Sequence, residues 1–90
     1  MQKLKIKDGF ELENHSGVYV VVRKEGSAVP FNTITLTDTS VFLWNLLKEK
    51  DVTKTEMLGA IIDNFDISTV LALGDIDVFV RTMKENGIIE

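Results

Sequence analysis

The chain has 90 residues, no cysteine and a formal net charge of −4. That length holds material for one hydrophobic core, expected as a single domain over residues 1–90, and the missing cysteine excludes disulfides, thiolate metal sites and a cysteine nucleophile. Charge is uneven: residues 1–36 carry five basic and four acidic side chains and residues 37–90 five against ten, so the second half has the wrong sign to neutralise phosphates.

The N-terminal run Met1 to Asp8 holds Lys3, Lys5 and Lys7 with no apolar stretch behind them. It fits neither a secretory signal nor a membrane anchor, and a cytoplasmic location is expected.

From Phe10 to Glu13 the chain alternates Phe, Glu, Leu, Glu, as a half-buried strand does. Gly17 to Arg23 reads as its more heavily buried partner. Between them Asn14, His15, Ser16 and Gly17 form a turn, with short polar side chains and a glycine that accepts positive φ. Lys24 to Ser27 is the next turn. Pro30 lacks a donor, so Ala28 to Asn32 is expected to be an irregular approach or a bulged edge. Thr33 to Leu36 follows as a third strand, with Ile34 and Leu36 on one face and Thr33 and Thr35 on the other. Three strands on short turns make an antiparallel meander whose first and third members are edges.

Thr37 or Asp38 then caps a helix. Val41, Phe42, Leu43, Trp44, Leu46 and Leu47 cover too much of its circumference for one wet face, so burial on two sides is expected. Lys48 to Asp51 ends it in solvent. Thr53-Lys54-Thr55-Glu56 is a capping box opening a second helix, with Met57, Leu58, Ile61, Ile62 and Phe65 at one-face spacing. Ser68 caps a third helix running to about Asn86, and Gly87 sits where a left-handed C-terminal residue belongs.

At roughly 100° per residue, Ala72, Leu73, Ile76, Phe79, Val80 and Met83 share one arc of that third helix and are its expected core face. Leu71 and Val78 fall outside the arc, on a flank that also carries Asp75 and Thr82. The whole is an α+β domain, winged-helix-like in outline: an N-terminal three-stranded antiparallel sheet followed by three helices.

Chemistry-bearing clusters are sparse. His15 is the only histidine and falls in the hairpin turn, and a lone histidine does not make a metal site. Asp75 and Asp77 are two apart on a helix and point to different sides, while Asp63 and Asp66 flank a helix end. Neither pair has a nucleophile or a phosphate-binding loop beside it, so no catalysis, metal or cofactor is expected.

The segment Ile34-Thr35-Leu36-Thr37-Asp38-Thr39-Ser40, followed by Phe42-Leu43-Trp44 and Leu46-Leu47, resembles the strand-to-helix signature of the PqqD family, small proteins related to coenzyme PQQ synthesis protein D. The start Leu4 to Phe10, the run Val18 to Val22, the segment Thr53 to Glu56 and the ending Phe79-Val80 to Ile89 are similar to that family in order and spacing. Thr37 stands where the family often has asparagine, which leaves the cap intact, and Ser40 where it often has glycine or alanine.

The resemblance implies a recognition element for ribosomally made, post-translationally modified peptides. Such a domain is a non-catalytic chaperone that binds the leader of a precursor peptide and presents it to a modifying enzyme, often of the radical SAM type. In that family the leader pairs as an extra strand with the third strand and rests its side chains between that strand and the third helix. Carried over, the strand is Thr33, Ile34, Thr35 and Leu36 and the helix is Ser68 to Asn86, on which the flank of Leu71, Asp75, Val78 and Thr82 read from the residues completes the expected peptide-binding set.

The residues themselves agree in two respects. Phe31 to Thr37 is an edge without charge or proline, the devices that usually protect an edge, and such an edge is competent for β-augmentation. Leu71 and Val78 give the third helix an apolar flank outside its core. Two other functions compete. The same bare edge could pair with itself in a homodimer, and a winged helix could bind DNA, although Arg81 and Lys84 face Asp75, Asp77 and Glu85 on the third helix.

Overall fold

A computed structural model describes residues 3–24 and 33–89, in the order β1 (Phe10–His15), β2 (Val18–Arg23), β3 (Ile34–Leu36), α1 (Asp38–Glu49), α2 (Lys54–Asn64) and α3 (Thr69–Glu85). This is the expected α+β arrangement, three antiparallel strands and then three helices. The sheet order is β1-β2-β3. The turn expected at Lys24 to Ser27 lies, from residue 25 on, outside the described residues, as do the irregular approach over Ala28 to Asn32 and the first two residues of the uncharged edge.

β1 is two residues longer than the alternation suggested, because the hairpin turn is tighter. Ser16 takes φ 56° and Gly17 φ 88°, and two consecutive left-handed residues match the twist of the flanking strands. Asn14 Oδ1 accepts a hydrogen bond from the Gly17 N–H at 2.8 Å, which helps hold Ser16 in a conformation that a residue with a Cβ adopts reluctantly. His15 is therefore the last residue of β1, opposite Val18. It is exposed, with Nε2 2.9 Å from Glu13 Oε1.

Phe10 and Leu12 on β1, Val21 on β2, and Ile34 and Leu36 on β3 share the sheet face that packs on the helices. The expectation of a heavily buried β2 holds only for Val21. Val18 is exposed and Val20 and Val22 are half-buried, because they point to the opposite face, where no helix lies among the described residues.

Thr37 is the cap of α1, its Oγ1 accepting from the Ser40 N–H at 3.2 Å. Leu43, Trp44 and Leu47 are buried, while Val41, Phe42 and Leu46 are half-buried. α1 packs against β3, α2 and α3. Phe42 reaches toward α2, meeting the Phe65 ring edge to face at 5.3 Å, and Lys48 to Asp51 are exposed.

The capping box of α2 is complete. Thr53 Oγ1 accepts from the Glu56 N–H at 3.2 Å, and Glu56 Oε1 accepts from the Thr53 N–H at 2.9 Å. Met57 and Ile61 are buried and Leu58 and Phe65 half-buried. Ile62 departs from the expected core face at 39% exposure, because α2 packs along one narrow side and Ile62 stands past its margin.

Ser68 caps α3 by accepting from the Leu71 N–H at 3.3 Å. Ala72, Ile76, Phe79, Val80 and Met83 are buried. Leu73 is a correction: expected in the core, it is 43% exposed, because it lies at the margin of the apolar arc on the side of Asp77, where the core face gives way to solvent. Gly87 takes φ 72°, and the Ile88 N–H then returns to the Met83 carbonyl at 2.9 Å. That bond closes the helix and sends Ile88 and Ile89 back into the core.

The N-terminal arm supplies packing that local periodicity did not assign. Leu4 pairs with Val52 and Ile6 with Ile89 in isolated antiparallel bridges, and all four side chains are buried. Lys5 and Lys7 between and after them are exposed. The arm thus ties the α1–α2 link and the C-terminus to the sheet.

Candidate functional site

The register of the sheet decides which main-chain groups of β3 are free. In a two-residue hairpin the pair closing the turn exchanges both hydrogen bonds, so His15 and Val18 bond each other and the pairs Glu13–Val20 and Glu11–Val22 follow by parity. The Lys24 N–H donating to the Gly9 carbonyl at 2.8 Å continues the same series. Tyr19 and Val21 therefore aim their N–H and C=O groups at β3, where their partners are Leu36 and Ile34.

Thr35, between those partners, aims its N–H and C=O the other way. β3 is an end strand of the sheet, so among the described residues no strand receives them. Thr33 and Thr35 are exposed, Ile34 and Leu36 half-buried against the core. Beyond the strand Thr37 uses its carbonyl to accept from the Val41 N–H at 2.9 Å, which ends the open edge at the start of α1.

The helical half of the expected site is one stripe. Leu71, Asp75, Val78 and Thr82 are separated by four, three and four residues and are neighbours on the helix surface. Leu71 is 62% and Val78 53% exposed; Asp75 is exposed and Thr82 half-buried. The stripe's orientation follows from the opposite flank, where Asp77 Oδ1 lies 3.3 Å from Lys54 Nζ at the start of α2. That ion pair turns the side of α3 bearing Leu73 and Asp77 toward α2, so the Leu71 to Thr82 stripe faces away from α2.

α1 links the two halves, because it follows β3 directly and packs against both β3 and α3. Thr33, expected in the strand, stands just before it, so Thr33 and the three residues of β3 are contiguous, the four helix residues are contiguous, and α1 packs against both elements that carry them. Val70, 78% exposed, was not singled out from the sequence; it lies about 100° around the helix from Leu71, on the Asp77 flank and apart from the stripe. Its position well outside the core arc was the available signal.

Electrostatics near the site are simple. Glu85 is held by Arg81, Nε to Oε1 3.8 Å, and Asp77 by Lys54, which leaves Asp75 as the carboxylate on the stripe with no ion pair among the described residues. A displaced titration lies elsewhere. The Thr53 N–H, then opposed by burial and assisted by the Thr53 hydroxyl and the charges of Lys3 and Lys50, holds the Glu56 carboxyl below its ordinary value. Among the described residues no group of three or more His, Asp or Glu side chains is placed to hold a metal ion, and no helix is long and apolar enough to cross a membrane.

Two solved structures share this fold. One, described as TbiB1 in complex with the TbiA(beta) leader peptide, superposes with a TM-score of 0.71 at 20% identity, covering 96% of this chain and 94% of that one. The other, lasso peptide synthetase B1 complexed with the leader peptide, has a TM-score of 0.70 at 16% identity and covers 99% of both chains. No curated protein sequence matches the chain. The family described as coenzyme PQQ synthesis protein D (PqqD) matches residues 18–89, which takes in β2 to the C-terminal bridge and leaves β1 outside. The match spans most of the chain and includes both the strand edge and the helix stripe: the protein belongs to the PqqD family.

Proposed function

We propose that this protein is a peptide-binding chaperone that captures the leader of a ribosomally made precursor peptide and presents it to a modifying enzyme, a radical SAM enzyme being the class that the family resemblance suggests. The observation that carries the reading is the outward main chain of Thr35 on an uncharged edge, with an exposed apolar stripe on α3 and one helix supporting both. An extended leader adds to the sheet as a fourth strand. Its amides bond Thr35 and Thr33, and its alternate side chains cover Leu71 and Val78.

Membership of the PqqD family supports this reading, as do the leader peptides bound in both structural neighbours. Thr33, Ile34, Thr35, Leu36, Leu71, Asp75, Val78 and Thr82 form the binding surface. The chain from 1 to 90 acts as one such domain, in the cytoplasm where the precursor is made, and contributes binding and placement with no catalysis or cofactor of its own.

The test is titration with candidate precursor leader peptides, followed by amide chemical shifts and calorimetry. We expect one leader per chain, micromolar affinity, and shifts concentrated on residues 33–36 and 71–82. Shifts confined to other surfaces, or turnover of the precursor by this chain alone, would overturn the reading.

The same edge favours a second use, pairing β3 with β3 of another copy across a two-fold axis. Sedimentation separates the two: a dimer that leader dissociates uses the edge for both, and a dimer that leader leaves intact pairs elsewhere.

A further inference from the structure

We infer that the leader accepted by this chain is cationic where it crosses α3, placing a lysine or arginine at Asp75 next to the apolar residue that covers Leu71 and Val78. This rests on the leader-binding reading and specifies the chemistry of its ligand.

Charges on α3 divide by flank. Asp77 is turned toward α2 and engaged by Lys54 at 3.3 Å, and Lys84 shares that side by helical spacing. Arg81 and Glu85 engage each other at 3.8 Å. Asp75 remains, exposed, four residues after Leu71 and three before Val78, so its carboxylate stands within the apolar stripe with no cation assigned to it.

Among the described residues β3 and the stretch of α1 that follows it add no positive charge: from Thr33 to Leu47 the charged residue is Asp38, acidic. An acidic leader side chain at this point meets the like charge of Asp75, whereas a basic one completes a pair and lays its methylene stem along Leu71 or Val78. An exposed pair of this kind is worth about two- to fivefold in affinity. The larger consequence is selectivity, since a like charge in the same place costs a similar factor in the other direction.

The experiment selects binders from a displayed library of random dodecapeptides, keeping those whose binding is lost on Thr35→Pro. We expect lysine or arginine to be enriched beside leucine, isoleucine, valine or phenylalanine. Selected peptides, synthesised singly, should bind Asp75→Asn about two- to fivefold more weakly and Asp75→Lys about four- to twentyfold more weakly, and selection on Asp75→Lys should turn the preference to aspartate and glutamate. Circular dichroism confirms that each variant keeps its helices, which an exposed position permits. Edge-dependent binders with no charge preference, or with affinities indifferent to Asp75→Lys, overturn the inference and leave leader binding standing. A library that yields no edge-dependent binder overturns both.

Discussion

Thr35→Pro separates the strand edge's part in binding from its part in folding. The Thr35 N–H points away from β2, so proline there removes a donor that the sheet does not use, and Ile34 before it is already extended, as a residue preceding proline prefers. The expected cost to stability is about 1 kcal/mol or less, from restricting φ alone. Ile34→Pro and Leu36→Pro are the controls. Each removes a donor that faces β2, leaving the carbonyl of Val21 or Tyr19 unpaired, and Val21 is fully buried. The cost there is about 1–3 kcal/mol. For leader binding the ranking reverses. Losing one net hydrogen bond of about 0.5–1.5 kcal/mol weakens affinity about two- to twelvefold, and the ring adds steric interference on the side the leader must approach. Fluorescence anisotropy of a labelled leader gives affinity and urea unfolding gives stability. A folded Thr35→Pro protein that binds leader within twofold of the parent would refute the edge-pairing geometry, and destabilisation equal to that of Ile34→Pro would refute the register.

Val78 is 53% exposed, so Val78→Asp should alter stability by no more than about 0.5 kcal/mol while forfeiting about 1 kcal/mol of apolar burial with the leader; calorimetry should show affinity reduced by about fivefold or more. Gly74 within α3 and Gly87 just beyond its C-terminus should respond with opposite sign. A Cβ at Gly74 meets nothing within 4 Å, so Gly74→Ala should raise stability by about 0.8–1 kcal/mol, whereas Gly87 at φ 72° makes Gly87→Ala cost about 1 kcal/mol; equal urea midpoints for the two would contradict the assignment. The depressed Glu56 carboxyl contributes stability that is fully present above its unfolded value of about 4.3 and is lost as pH falls through the lower folded value. Glu56→Gln should therefore flatten the decline in urea midpoint between about pH 6 and pH 3, and a parallel decline in both proteins would show that the capping box carries no such linkage.

Much of the helical half was legible because its signals are local. Thr53 and Glu56 stand three apart as a capping box must, and Ser68 and Gly87 bracket α3 by the chemistry of their own backbones. The errors, Ile62 and Leu73, lie at the margins of apolar arcs, where burial depends on how far the neighbouring helix extends and not on the helix itself. Leu4 and Ile6 alternate with Lys5 and Lys7, a strand-like pattern, but their partners Val52 and Ile89 are remote in sequence, and nothing local names them. The site divides similarly. An uncharged edge and an apolar flank at Leu71 and Val78 are properties of composition and spacing. That Thr35, and not Ile34 or Leu36, offers its main chain outward depends on hairpin parity, which is set by Ser16 adopting a left-handed conformation beside Gly17.

The three-residue length of β3 reconciles an open edge with a protein that must not pair indiscriminately. A long bare edge offers a ladder of main-chain bonds to any extended chain, and shortness is one of the ways proteins blunt that hazard. Here Thr37 closes the edge at one end by giving its carbonyl to Val41 and its hydroxyl oxygen to the Ser40 N–H, so among the described residues the outward groups that remain are few. At about 1 kcal/mol net for each bond, they cannot by themselves offset the several kcal/mol that ordering a flexible peptide costs. In the proposed binding mode productive capture therefore requires the second surface, and only a peptide whose side chains also suit Leu71, Asp75 and Val78 gains enough to stay. In that mode the edge supplies geometry common to any extended chain, and the stripe on α3 supplies the discrimination. Altering Thr35 should accordingly weaken every bound peptide by a similar factor, while altering Asp75 or Val78 should change which peptides are bound.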